Sequence, residues 1–232
     1  MSDAPLRLIS SMAMREALAE LTDVFQRETG RIVLREAAGG VDVAKRVQAG
    51  EPVDVVVLSS TAIDKLISAG RLHAGSRVDL ARSGVAVAVR AGAPHPDISS
   101  EDALRRAVSS APSIAYSTGP SGVHLEQVFE RWGIRPQIAP RIVVAPPGVP
   151  VGSLVARGDA ALGFQQLSEL ISLEGIEIVG PLPDALQIVT VFSGGLGSPA
   201  SRLAEARRLL SFLASPAAES VKRRFGMQGV QA

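Results

Sequence analysis

The chain contains no cysteine, which excludes disulfides, thiolate metal sites and a cysteine nucleophile without fixing the compartment. Aromatic residues make up only 3%, with one Trp and one Tyr, so a deep aromatic pocket or a base-stacking platform has little material to work with. The expected ligand is therefore small and polar. An excess of one charge is lacking too: the formal net charge is +1, which gives no general field for nucleic acid. The nearest basic clusters, Arg207-Arg208 and Lys222-Arg223-Arg224, fall on a helical pattern and read as solvated helix faces. No nucleic acid partner is expected.

No apolar run is long enough to span a membrane, and Met1-Ser2-Asp3-Ala4-Pro5 lacks the basic region and apolar core of a signal peptide. These features predict no membrane insertion, and a cytoplasmic location for the chain as written or a periplasmic one if a leader has been removed. There is no Gly-x-Ser-x-Gly elbow, phosphate-binding loop, dinucleotide fingerprint or His-Glu-x-x-His motif. Asp42, Asp54, Asp159 and Glu169 show no spacing that separates a catalytic pair from solvated charges or caps. Neither a metal nor a cofactor is expected.

What is present is a globular balance of 46% hydrophobic and 20% charged residues over 232 positions, enough for two lobes of ordinary size. Short β-branched runs alternate with segments of helical period. Strand-like Leu6–Ile9 precedes a stripe of Met14, Ala17, Leu18, Leu21, Val24 and Phe25, ended by Gly30. Strands follow at 32–34 and 53–58, with helices at 41–49 and 62–69. The middle repeats this grammar: strands at 85–90, 113–117, 142–145 and 160–164 alternate with helices at 101–108, 122–132 and 151–157. After 176–179 and the Gly180-Pro181-Leu182-Pro183 break come a strand at 188–192 and helices at 200–214 and 217–225. Such alternation favours parallel or mixed sheets flanked by helices, with ligand loops beyond the carboxyl ends of strands. The stretches 91–99 and 194–201 read as exits from crossover strands.

Four strand-to-helix junctions carry small or polar residues: Ser10-Ser11-Met12, Ala37-Ala38-Gly39-Gly40, Ser117-Thr118-Gly119-Pro120-Ser121-Gly122 and Phe164-Gln165-Gln166. Helix starts expose unpaired N–H groups and the positive end of the dipole, so several together can hold an oxyanion without a lysine. Each loop taken alone also reads as an N-cap or tight turn. His124, just inside a helix start, is a candidate acid/base, the alternative being a structural or exposed histidine. Trp132 and Tyr116 read as packing residues.

Taken in order, Leu8-Ile9-Ser10-Ser11-Met12, the run from Val47-Gln48-Ala49-Gly50-Glu51-Pro52 to Val53-Asp54-Val55-Val56, and Ala161-Leu162-Gly163-Phe164 resemble the molybdate-binding protein family of bacterial ABC importers. The ending, Phe212-Leu213-Ala214-Ser215-Pro216 through Phe225-Gly226, resembles that family's C-terminal helices. The resemblance implies an α/β type II periplasmic-binding-protein fold with two lobes, each a mixed sheet flanked by helices, and two crossover strands as hinge. One lobe is expected from residues 1–84 with 193–232, the other from 85–192. It also implies binding residues at Ser11, Met12 and Ala13, at Gly39, Gly40 and Val41, at Ser121, Gly122 and Val123, at Pro147, Gly148 and Val149, and at Gln165 and Gln166.

The chain departs from that family in these loops: Ala13 replaces an oxyanion-binding hydroxyl, Gly39-Gly40-Val41 a serine-rich loop, and Gln166 a late tyrosine. Ser11, Ser121, Gln165 and Gln166 can bond carboxylate or hydroxyl oxygens. The expected function is thus a solute-binding protein that closes on a small anion, an organic carboxylate or an oxyanion, with an ABC-transporter permease as partner if it is exported. The alternative is an enzyme resembling aconitate isomerase, moving a proton on a tricarboxylate. A ligand-sensing domain of a transcription regulator is a third class, but no helix-turn-helix pattern precedes Leu6.

Overall fold

The computed structural model describes residues 4–197 and 202–230. The chain forms two compact units, one up to Ser83 and again from Thr190, the other Gly84–Val189.

In the first unit β1 (Leu6–Ser11) is followed by a 3-10 turn at Met12–Met14 and by α1 (Arg15–Thr29). α1 buries Ala17, Leu18, Leu21 and Phe25, the helical stripe legible in the sequence, and Gly30 caps it in the left-handed conformation at φ 68°. Next come β2 (Val33–Ala38), α2 (Gly40–Gln48), β3 (Val55–Ser59) and α3 (Ser60–Ser68). β1 lies between β2 and β3 and runs parallel to both, with Ser11 opposite Ala38 and Ser10 opposite Val57. The carboxyl ends of the three strands therefore share one end of the sheet. β2 is the edge strand and leaves Leu34 exposed, whereas Val55, Val56, Val57 and Leu58 of β3 are buried.

β4 (Val78–Arg90) starts in the first unit and ends in the second. It begins seven residues before the position expected at Val85. Its early part carries Asp79 and Arg82 among apolar residues, which hides the strand pattern, and Ser193 donates a 2.6 Å hydrogen bond to Asp79.

The second unit continues with α4 (Glu101–Ser110), β5 (Ile114–Tyr116), α5 (Pro120–Arg131), α6 (Arg135–Ile138), β6 (Ile142–Val144), α7 (Val151–Arg157), β7 (Leu162–Gln166), α8 (Leu167–Leu170) and β8 (Ile176–Pro181). β5 pairs in parallel with β6 and β7, and β4 runs antiparallel to β7 and β8, a mixed sheet. Its core gathers Val87, Leu104, Tyr116, Phe129 and Phe164. Strand β7 extends two residues beyond the expected end, so Gln165 and Gln166 are strand residues and not loop residues.

Returning to the first unit, β9 (Val189–Leu196) runs antiparallel to β3, and α9 (Leu203–Leu213) and α10 (Glu219–Arg224) complete the chain. Gly194, Gly195 and Leu196 are therefore strand and not an exit loop, and residues 198–201 of that expected loop lie outside the described residues. Leu209, Leu210, Leu213 and Val221 pack against Leu6, Leu18, Leu21 and Val57 in one core. Lys222 corrects the expectation of a solvated basic face: it is 1% exposed and bonds Glu219 Oε1 at 2.9 Å. A buried ammonium persists only with such a partner.

Candidate functional site

In the first unit the candidate site residues lie at the shared carboxyl ends of β1, β2 and β3. Ser10 and Ser11 are strand residues that leave little surface exposed. Ser11 Oγ is fully buried and has no hydrogen-bond partner among the described residues. Leaving a buried hydroxyl without a partner costs about 1–3 kcal/mol, so it marks a place where a ligand atom would be favourable. Met12 and Ala13 follow in the 3-10 turn, Ala13 buried.

Beside Ser11, α2 starts at Gly40 after Gly39, and no side chain of the N-cap position bonds its first-turn N–H groups. A β-carbon on Gly40 would lie 3.5 Å from Ser11 Cβ, which places the helix start against the serine. Val41, the second helical residue, is 47% exposed, an apolar side chain next to the donors. Asp42 stands in the first turn with its carboxylate close to Gly39. At the end of β3, Ser59 precedes α3 without capping it, its hydroxyl sharing a 3.3 Å hydrogen bond with Thr61. Ser59, Ser60 and Thr61 were not among the residues expected from sequence. The signal for them is a Ser-Ser-Thr run straight after a buried apolar strand, the same pattern that marks Ser10-Ser11.

No lysine or arginine belongs to this group, and Arg46, in the last turn of α2, is held by Glu36 and Glu51. An anion here would be met by neutral donors and the helix dipoles, with the Asp42 carboxylate as the acidic group of the first turn of α2.

In the second unit α5 starts with Pro120 after Gly119, the proline taking the position where a missing N–H is harmless. Ser121 and Gly122 are buried, and Val123 is exposed. A β-carbon at Gly122 would overlap the Ser117 carbonyl oxygen, so glycine here serves the packing of the turn. His124 Nε2 lies 2.8 Å from the Leu186 carbonyl oxygen. A carbonyl only accepts, so Nε2 is the donor of this hydrogen bond.

Pro147 and Gly148 form the turn after β6, Gly148 at φ 77° and the Val149 N–H bonding Pro146 O. Gln165 is engaged at both ends of its amide: Oε1 accepts from the Val151 N–H at 2.8 Å and Nε2 donates to Glu169 at 2.6 Å. It caps α7, a role no local sequence pattern announces because the helix lies fourteen positions earlier. Gln166 is 4% exposed at the end of β7. Thus Ser11, Gly39, Gly40 and Val41 come together in the first unit, and Ser121, Gly122, Val123 and His124 share the start of α5 in the second.

Tyr116 is a packing residue as expected, buried against Phe129, with its hydroxyl donating to Glu126 Oε1 at 2.9 Å. Burial, and then the Glu126 carboxylate, push its phenol up to about 12. As the single tyrosine of the chain, it can be followed by tyrosinate absorbance. The expected midpoint is near 12, against about 10 in the unfolded chain. Because the folded pKa is raised, Tyr116 supports stability fully below about pH 10 and loses that contribution between about 10 and 12. A midpoint near 10 in folded protein would contradict the Tyr116–Glu126 contact.

Among the described residues no group of three or more His, Asp or Glu side chains is placed to hold a metal ion, and no helix is long and apolar enough to cross a membrane.

The mixed α/β units have the fold of the type II periplasmic binding proteins. The solved periplasmic molybdate-binding protein of Azotobacter vinelandii has this fold, superposing with a TM-score of 0.81 over 97% of this chain and 100% of its own at 24% identity. The chain belongs to the bacterial extracellular solute-binding protein family, whose model matches residues 6–228. It is 39% identical to a Pseudomonas protein named aconitate isomerase, over 98% of this chain and 88% of that relative. It is 18% identical to the Escherichia coli K12 molybdate-binding protein ModA, over 78% and 73% of the two chains.

Proposed function

We propose that the protein binds a small organic polycarboxylate through neutral donors, the main-chain N–H groups at the start of α2 and the Ser11 hydroxyl. The observation that carries this reading is the buried, unpartnered Ser11 Oγ beside an uncapped helix start. Ala13, Gly39, Gly40 and Val41 carry no side-chain hydroxyls, which leaves Ser11 and the Ser59-Ser60-Thr61 run as the hydroxyls at these strand ends, while exposed Val41 suits a carbon skeleton. The aconitate isomerase relative supports the same ligand class. Calorimetry with trans-aconitate, citrate, malonate, molybdate and sulfate tests it. Saturable binding of at least one polycarboxylate, tighter than of either oxyanion, is expected; well-folded protein that binds none of the three acids would overturn the reading.

A second reading, isomerisation of a tricarboxylate, is favoured by the 39% identity over almost the whole chain. A base would take a proton from a carbon next to a carboxylate and return it to another carbon, while N–H donors stabilise the enolate-like charge. His124 Nδ1 is the base in this reading. Deuterium incorporation into aconitate, followed by NMR, is expected with the native protein and lost in H124A; exchange that survives H124A would remove His124 from the role, and none above a protein-free control would remove the reaction.

Delivery of the ligand to the permease of an ABC importer would require a periplasmic protein, whereas action on an internal substrate would require a cytoplasmic one. Cell fractionation separates the two.

A further inference from the structure

We propose that Gly40 is a size filter: the side chain it lacks leaves the space that admits the carbon skeleton of a polycarboxylate. This inference rests on the reading that the site takes such a ligand.

Many glycines of this fold are required by their backbone conformation or by their neighbours. Gly30 and Gly158, for example, have left-handed backbones, at φ 68° and 84°, which other residues rarely adopt. At Gly122 and Gly197 a β-carbon would overlap a neighbouring carbonyl oxygen. Gly40 meets neither condition. It is not among the glycines of positive φ, and a β-carbon there would touch only Ser11 Cβ at 3.5 Å and Leu58 Cδ2 at 3.8 Å, ordinary contacts. Gly39, by contrast, would press on the Asp42 carboxylate at 3.0 Å.

Glycine as the first residue of a helix loses more backbone freedom on folding than alanine would. The fold therefore gains nothing from Gly40. A ligand does gain: the main-chain N–H groups can be approached closely, and the carbon next to the bound carboxylate takes the volume a methyl would fill. The independent sign that something binds there is Ser11: its Cβ is the nearest atom to that spot, and its Oγ is buried and without a partner among the described residues.

The test is Gly40→Ala, measured by thermal melting and by calorimetry with trans-aconitate and with the smaller malonate. The variant is expected to melt at the native temperature or above. A methyl group in a binding pocket changes affinity about 10- to 200-fold, so trans-aconitate should weaken by about tenfold or more, and by more than malonate. Affinity for trans-aconitate within about twofold of native would overturn the filter and leave the polycarboxylate reading intact. An equal loss for both acids would assign the effect to disturbed donors and also overturn it, and a lowered melting temperature would show that the fold needs the glycine. If the native protein binds no polycarboxylate, the reading and the filter fall together.

Discussion

Asp54→Ala is expected to cost about 3–5 kcal/mol of stability. Asp54 is 3% exposed at the start of β3, at the opposite end of the strand from the candidate site. Its Oδ2 accepts from the Arg7 N–H of β1 and from Arg202 Nη2, each at 2.7 Å, and its Oδ1 from Arg202 Nε at 3.3 Å. Its own carbonyl accepts from the Gly197 N–H just past β9. The carboxylate thus fastens β1 and the entry to α9 to β3, and the main chain of the same residue holds the end of β9. Removing it leaves the Arg202 guanidinium, 17% exposed, without its partner. Because removing both members of a buried pair costs less than removing one, D54A/R202A should be more stable than the sum of the single losses predicts. Urea unfolding followed by circular dichroism measures all three variants, and a D54A loss below about 1 kcal/mol would show that the pair behaves as a surface ion pair.

Ser11→Ala is expected to have the opposite profile. The hydroxyl has no partner to lose, so the unliganded variant should be as stable as the native protein or more so. A hydrogen bond to a charged group contributes about 1.5–3 kcal/mol, so polycarboxylate affinity should fall by about 10- to 150-fold. Ser11→Thr, which keeps the hydroxyl, tests the chemistry apart from the removal of an oxygen. The readouts are calorimetry and thermal melting on the same samples. A destabilised S11A with native affinity would place Ser11 in the scaffold instead of the site.

The alternation of strands and helices was legible because Leu6–Ile9 and Val55–Leu58 are compact apolar runs and α1 repeats its buried residues at helical spacing. Position 54 was legible as part of a motif, but its work was not: Arg202 lies 148 positions away, and nothing local signals that pairing. The start of β4 was missed because Asp79 and Arg82 interrupt its apolar pattern, their partners Ser193 and Gln228 lying across the sheet and near the chain end. Lys222 was misread for a related reason, since a basic cluster on a helix reveals its buried face only when the helix is packed.

In the first unit the sequence pointed to the strand ends where β1 and β2 lead into a 3-10 turn and α2, because small residues after apolar strands report on helix starts. It could not tell a free polar group from a used one. Ser11 and Gln165 look alike in sequence, yet Gln165 spends both ends of its amide on Val151 and Glu169 while Ser11 Oγ is left without a partner among the described residues. The carbonyl that His124 bonds, that of Leu186, lies 62 positions on.

The most direct test is a crystal structure of the native protein with trans-aconitate. The account predicts a carboxylate within hydrogen-bond distance of Ser11 Oγ and the first N–H groups of α2, with a ligand carbon in the space beside Gly40. A ligand bound elsewhere, with Ser11 and Gly40 untouched, would contradict it.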